Sequence, residues 1–278
     1  MGSDALDARW STGGVLACPH CGLTLQLAET GATCATGHSF DRGRGGYLNL
    51  LVGGRLGATT TPGDTPDALA ARRRFLGAGH YAPIAAAMST AVGVPGGPLL
   101  DVGCGEGYYL SQLPLPDRYG LDVSKSAVQM AARFLPDAQF VVGSAYRLPV
   151  SPGSLAAVIS VFAPHPFDEF HRVLRPGGRW VTVTPGPDHL QQMRPLLAGD
   201  AQRKASERLE RREVPPVEAE TATRVQFDLH LDAASLRELF FMTPIQWQAG
   251  ATGADTEHGR TVSVDVWVCS ATHDGGLQ

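Results

Sequence analysis

From Leu99 onward, apolar runs of strand length alternate with segments of helix length, and no other feature restricts the fold class as much. The runs are LLDVG, YGLDV, AQFVVG, AAVISVFA and RWVTVTP. Such alternation predicts a doubly wound α/β architecture around a mostly parallel sheet. The C-terminal part continues as a strand (Arg224 to Leu231), a helix (Asp232 to Met242) and a strand (Thr261 to Ser270), which makes seven strands. With 278 residues, 43% of them hydrophobic, the chain can fill one full-sized core and one smaller module.

The sequence divides into four parts. Residues 1–14 have neither helical nor strand periodicity and are expected to form a loose arm. Residues 15–51 are short, turn-rich and cysteine-bearing, with strand-like stretches at Leu23 to Leu27 and Tyr47 to Leu51. Residues 52–80 hold a Gly/Thr/Pro-rich linker and then a helix over Asp67 to Phe75, with Asp67 as the expected cap. Residues 81–278 carry the alternating pattern. The formal charge of −4 sets up no whole-protein field toward nucleic acid, so any RNA contact must use local patches. Apolar runs such as Ala156 to Ala163 fall far short of the roughly 20 residues a membrane helix needs, and the N-terminus lacks a signal pattern. A cytoplasmic protein without a membrane partner is expected.

A module of some 35 residues cannot bury enough apolar surface to fold by itself, since domains below about 40 residues need a metal, disulfides or a partner. Cys18, Cys21, Cys34 and His38 supply the staple in the spacing C-x2-C-x12-C-x3-H. Three thiolates and an imidazole converging from two short-range pairs are the ligand set of tetrahedral zinc. Four protein ligands leave no open coordination position, so the zinc is expected to be structural. His20 stands between the first two cysteines and is read as a non-ligand.

Leu99-Leu100-Asp101-Val102-Gly103-Cys104-Gly105-Glu106-Gly107 is an apolar strand running into glycines spaced by single residues, a turn that lets a ligand approach the backbone. Asp122 ends the next strand nineteen residues after Gly103, where a carboxylate can accept both hydroxyls of a ribose. A dinucleotide site would favour a third glycine where Tyr108 stands, so S-adenosylmethionine, which has a ribose and no phosphate, fits better. Asp101 would then face the cationic methionine end. The loop Gly143-Ser144-Ala145-Tyr146-Arg147-Leu148-Pro149 and the segment Leu174-Arg175-Pro176-Gly177-Gly178 complete the set.

These elements, in this order, resemble class I S-adenosylmethionine-dependent methyltransferases, a resemblance that implies a Rossmann-like sheet over roughly Leu99 to Ser270. Ser144 departs from the pattern, because many relatives have an aspartate there for the adenine amino group. A closer likeness spans nearly the whole chain after the arm. The cysteine module continuing into Phe40-Asp41 and Gly46 to Leu51, then Ala71 to Leu76, Gly79-His80-Tyr81, Phe162-Ala163-Pro164 and Thr184 to Leu190, looks like the 23S ribosomal RNA guanine-N1 methyltransferases. That family includes housekeeping and macrolide-resistance enzymes.

The resemblance implies methyl transfer from S-adenosylmethionine to N1 of a guanine in a 23S rRNA hairpin. It implies zinc on Cys18, Cys21, Cys34 and His38, and donor contacts from Tyr81, Gly105, Glu106 and His189; Asp101, Gly103, Asp122 and Ser144 join the donor site from the residue reading. Relatives pair into homodimers. Arg42, Arg44, Arg55, Arg72 and Arg73 are the expected RNA contacts, with Arg203, Lys204, Arg208, Arg211 and Arg212 as a further basic run. His165, His189, Asp168 and Asp188 are general-base candidates by type, and the sequence does not choose among them. The competing reading is a small-molecule methyltransferase of natural-product or quinone type, whose members rarely carry an N-terminal zinc module.

Overall fold

The structure is a computed structural model that describes residues 14–52, 65–196, 215–243 and 258–275. The expected arm, most of the linker with Arg55, and the basic run from Arg203 to Arg212 lie outside the described residues. The chain forms two compact units, residues 1–63, 92–181 and 271–278 in one, and 64–91 with 182–270 in the other. No helix among the described residues is long and apolar enough to cross a membrane.

In the first unit, three short strands, β1 (Leu25–Leu27), β2 (Gly31–Cys34) and β3 (Ser39–Asp41), form an antiparallel sheet around the cysteines. Then come β4 (Leu48–Asn49), β5 (Leu99–Val102), helix α3 (Tyr108–Ser111), β6 (Arg118–Asp122), α4 (Lys125–Phe134), β7 (Gln139–Val142), β8 (Leu155–Val161) and α5 (Phe167–Val173). Strand β9 (Leu174–Pro185) carries the chain onward. The order here is β9-β8-β5-β6-β7-β4, with β5 parallel to β6 and β8, and β7 parallel to β6 and β4. Strands β5, β7 and β8 are buried at every position, as parallel strands covered on both faces are, which is why they read as mostly apolar runs broken only by Asp101, Gln139 and Ser160. The first-noted difference is β9, which begins at Leu174 and so includes the LRPGG segment expected to precede it.

Strand β4 is the eighth of the larger sheet's strands and comes from the cysteine module. Leu50 donates its N–H to Val142 O at 2.9 Å, while Ala17 and Ser151 exchange backbone bonds with Pro149 and Val15 at 2.9 and 2.8 Å. Both ends of the module are therefore stitched to the parallel sheet. Buried Leu16, Tyr47, Leu48 and Leu50 add apolar surface that the module lacks by itself.

The second unit holds α1 (Pro66–Gly77), α2 (Ala82–Val92), a 3-10 turn (Gln191–Leu196), β10 (Thr221–Leu231), α6 (Ala233–Met242) and β11 (Arg260–Thr272), in the order β10-β11-β9. Strands β10 and β11 pair antiparallel over their full register, Thr221 to Leu231 against Ser270 to Arg260. Helix α1 starts one step earlier than expected. Thr65 is its cap, accepting from Ala68 N at 3.3 Å, with Pro66 in the first turn; Asp67 becomes a first-turn acid instead. Asp232, where the sequence began this helix, is its cap, accepting from Ser235 N at 2.7 Å.

Candidate functional site

The four metal-ligand candidates meet in space. One ligand atom from each of Cys18, Cys21, Cys34 and His38 lies within 4.8 Å of all the others. Cys21 and Cys34 sulfurs are 3.7 Å apart, and His38 Nδ1 stands 3.3 Å from Cys34 Sγ and 3.5 Å from Cys18 Sγ. A zinc tetrahedron with the usual bond lengths has edges of about 3.6–3.8 Å, so the donor set fits the ion. Thr36 escaped the sequence reading. Its hydroxyl lies 3.3, 3.1 and 3.1 Å from Cys21 Sγ, Cys34 Sγ and His38 Nδ1. Through that hydroxyl first, the Cys21 and Cys34 thiols are drawn down, Cys34 to about 5, whereas burial pushes Cys18 up and neighbouring Cys21 raises His38. Thiols drawn down in this way favour binding a cation. His20 is a stacking residue, 4.9 Å from His38 and 6.0 Å from Phe40 between ring centroids.

The glycine turn after β5 has the backbone its sequence required. Gly103, Gly105 and Gly107 all take positive φ, at 77°, 54° and 90°. A Cβ built on Gly103 would sit 2.4 Å from Ala163 Cβ, so the turn is seated directly against the loop after β8. Asp122, at the end of β6, accepts from Gly105 N at 3.0 Å and from Ser124 N at 2.8 Å, which fixes its carboxylate beside the turn.

Asp101 and Glu106 are both buried. Burial, then the charges of Asp122 and Glu106, push the Asp101 carboxyl well above the usual carboxylate range. The acidic side chains around the turn disfavour a pyrophosphate, and a cation entering beside Asp101 would favour its charged form.

Ser144 follows β7 in a tight turn, its hydroxyl accepting from Tyr146 N at 3.3 Å. Two residues the sequence reading missed hold that loop. Glu169 accepts from Leu148 N at 2.6 Å, and Arg172 donates to Leu148 O, Val150 O and Glu169 at 2.6–2.9 Å. Their spacing on α5 was visible, but the partner loop was not. Beyond β8, Phe162 adopts a positive φ of 53°, a strained backbone of the kind that recurs where a loop is held for function. Pro164, His165 and Pro166 follow it.

In the second unit Tyr81 and His189 come together, 6.4 Å between ring centroids. Tyr81 is buried edge-on to Phe75 at 5.3 Å, and burial pushes its phenol far up. His189 Nδ1 accepts the backbone N–H of Asp265 at 3.3 Å. Asp265, fully buried on β11, takes a two-pronged ion pair from Arg224 at 2.9 Å on each oxygen and accepts from Asp188 N at 3.0 Å. Despite its burial, those bonds hold the Asp265 carboxyl below its usual range. A Cβ on Gly186 would lie 2.5 Å from Asp265 Oδ2, so the turn Pro185 to Leu190 wraps tightly over this pair.

Two of the expected RNA-contact arginines spend donors inside the fold. Arg42 reaches Ala28 O at 2.9 Å and Gly46 O at 3.0 Å, and Arg72 reaches Met242 O at 3.2 Å, closing the C-terminus of α6. Arg44 and Arg73 are exposed. Arg72→Ala is therefore expected to lower stability by about 1 kcal/mol, the worth of one such bond, read as a fall in Tm.

Comparison with known proteins agrees with both halves of the geometry. A zinc-ribbon family model described as RlmA, N-terminal, matches residues 16–52, and a methyltransferase-domain model matches residues 100–182. The 23S rRNA (guanine(748)-N(1))-methyltransferase of Streptomyces fradiae is 37% identical over 244 residues, covering 84% of this chain and 85% of that protein. A phthiotriol/phenolphthiotriol dimycocerosates methyltransferase of Mycobacterium ulcerans is 33% identical over 43% of this chain and 49% of its own. The YcgJ protein of Bacillus subtilis, whose crystal structure is known, aligns over 71% of this chain and 100% of its own with a TM-score of 0.47 at 17% identity.

Proposed function

Because the chain belongs to the family of 23S rRNA guanine-N1 methyltransferases, we propose that it moves a methyl group from S-adenosylmethionine to N1 of a guanine in a 23S rRNA hairpin. The observation that carries the reading is the pairing, in one chain, of a glycine turn ringed by Asp101, Glu106 and Asp122 with a converging Cys3His ligand set. A small-molecule methyltransferase needs only the first of these.

On this reading residues 15–51 are a zinc module, 52–80 a connector and 81–278 the methyltransferase domain. Cys18, Cys21, Cys34 and His38 hold structural zinc. Asp122 takes the ribose hydroxyls, Gly103 and Gly105 admit the adenosyl group close to backbone, and Asp101 and Glu106 face its cationic methionine end. Ser144 lies at the adenine side, and the family resemblance adds Tyr81 and His189 as donor-contact residues. When bound, S-adenosylmethionine supplies a methyl group on a positively charged sulfur. The chain's own residues orient that methyl and exclude water, and the target guanine must leave its stack to meet it. Arg44 and Arg73, with Arg42, Arg55 and Arg72, face RNA phosphates, each adding to the salt dependence of binding. Two chains sharing one hairpin as a homodimer belong to the same reading.

The deciding experiment supplies methyl-labelled S-adenosylmethionine with either undermodified 23S rRNA or bulk metabolites. Label is expected at N1 of one guanine in one hairpin, where a methyl blocks Watson–Crick pairing and stops reverse transcription. Label appearing only among metabolites overturns the assignment. Growth of a host expressing the chain under a macrolide reads the resistance role, and sedimentation reads the dimer.

Asp101 offers a separate check. Its carboxyl is held up in the ligand-free protein and should be drawn down by an incoming cation, so donor binding should release protons below the raised pKa. Calorimetry across a pH series, in two buffers of different ionisation enthalpy, is expected to show that release at pH values below the raised pKa, and Asp101→Asn should abolish it.

A further inference from the structure

We propose that His165 is the general base that takes the proton from guanine N1, and that Ser160 sets it up to do so; the inference deepens the guanine-N1 reading above and rests on it. Four groups are candidates by type, and the hydrogen bonds separate them.

Ser160 is fully buried on β8. Its hydroxyl oxygen lies 3.1 Å from Val102 O, 3.1 Å from Pro164 O and 3.2 Å from His165 Nδ1. Carbonyl oxygens only accept, and the serine has one proton to give. If the ring donates from Nδ1 to the hydroxyl, the hydroxyl donates on to a carbonyl and two bonds form. If the hydroxyl donates to the ring instead, one bond forms and the buried oxygen receives nothing. Burial favours the fully used arrangement. The neutral ring therefore carries its proton on Nδ1 and its lone pair on Nε2.

His189 has the opposite polarity. A backbone N–H can only donate, so the Asp265 amide fixes His189 Nδ1 as the acceptor, and the neutral ring holds its proton on Nε2. His189 is thus a donor where His165 is an acceptor. Asp188 is exposed and lies 3.4 Å from the Arg224 guanidinium, and Asp168 is an exposed acid in the first turn of α5. Neither is a poised base.

Position agrees with protonation. The loop bearing His165 follows the strained Phe162 and rests on the glycine turn through the Gly103 and Ala163 contact, at the carboxyl end of a parallel strand where open α/β sheets bind their ligands. Phe167, 6.2 Å from the His165 ring and 4.9 Å from Trp180, backs the imidazole with aromatic surface.

In the step, the N1–H bond breaks and its proton passes to His165 Nε2. The electron pair left on N1 forms the new N1–CH3 bond, while the S–CH3 bond breaks and its pair stays on sulfur, which loses its positive charge. The imidazolium then returns its proton to water.

The test uses His165→Asn, whose amide nitrogen can replace the Nδ1 donor to Ser160 but which has no basic nitrogen. In single-turnover rRNA methylation its rate should fall about 10²- to 10⁴-fold, and the acid limb of the wild-type pH profile should vanish. Its Kd for S-adenosylmethionine by calorimetry should stay within about twofold of wild type. Nitrogen-15 NMR of histidine-labelled wild-type protein should show His165 as the Nδ1–H tautomer and His189 as Nε2–H, and Ser160→Ala should weaken the former preference. A fully active His165→Asn enzyme, or an Nε2–H signal for His165, overturns the proposal while leaving the guanine-N1 reading standing. If wild-type protein methylates no guanine, that reading fails, and the base assignment falls with it whichever tautomer the spectra show.

Discussion

Stripping the metal with a chelator should unfold residues 15–51 before the parallel sheet loses structure. In comparable small zinc peptides the ion contributes on the order of 10 to 16 kcal/mol, which is more than a module of this size gains from burial. Its side chains explain the dependence. The fully buried apolar residues within the three-stranded sheet are few, chiefly Leu25 and Ala32 with Cys34, and the loops between are exposed. Without the ion, only the Thr36 hydroxyl and weak contacts of 3.3–3.7 Å link the three thiols and the imidazole. Hydrogen exchange is the measurement: amides of β1 to β3 should lose protection first. Strand β4 should follow, because Leu50 N bonds to Val142 O and Leu48 pairs with Val141. Unchanged exchange across residues 15–51 after complete zinc removal would show that apolar contacts with the sheet suffice.

Gly103→Ala should be the most damaging single change near the donor site. Two costs add there. The residue's φ of 77° is a left-handed conformation that costs a residue with a Cβ about 1 kcal/mol or more, and the new Cβ would meet Ala163 Cβ at 2.4 Å. Overpacking of that kind typically costs 1–3 kcal/mol, so a loss of about 2–4 kcal/mol is expected in denaturant unfolding. Relief requires the turn and the Phe162 to Pro166 loop to part, which displaces the backbone that the adenosyl group approaches. Affinity for S-adenosylmethionine should therefore fall more than tenfold even where the protein is folded. Gly153→Ala provides the comparison. Its φ is also positive, at 62°, but no atom lies within 4 Å of the added carbon, so it should show the backbone cost with donor binding intact.

Much of this protein was legible because its signals are local in the chain. Two cysteines three positions apart, with a cysteine and a histidine four apart, can reach one ion whatever surrounds them. Strands buried on both faces are mostly apolar, and a strand ending in single-spaced glycines turns closely. Cap placement was less secure. Thr65 displaced Asp67 as the cap of α1 because Pro66 supplies a preset first-turn φ and no donor to waste.

Side-chain roles that depend on partners far along the chain were hidden. Thr36 stands between two predicted ligands and looks like filler until its hydroxyl is seen against three of them. Arg72 reads as one of five RNA-contact arginines, yet it meets a carbonyl 170 residues away. Asp265 and Arg224 sit on different strands, and only antiparallel register brings them face to face.

Composition and spacing alone marked out an α/β sheet, a metal-stapled module and a close glycine turn, since periodicity, ligand spacing and glycine freedom are properties of neighbouring residues. Folding in three dimensions decided which nitrogen of each histidine bears the proton, because a tautomer is dictated by whatever donor or acceptor packing places against the ring. His165 and His189 are the same residue type, and a serine hydroxyl beside one and a backbone amide beside the other give them opposite chemistry.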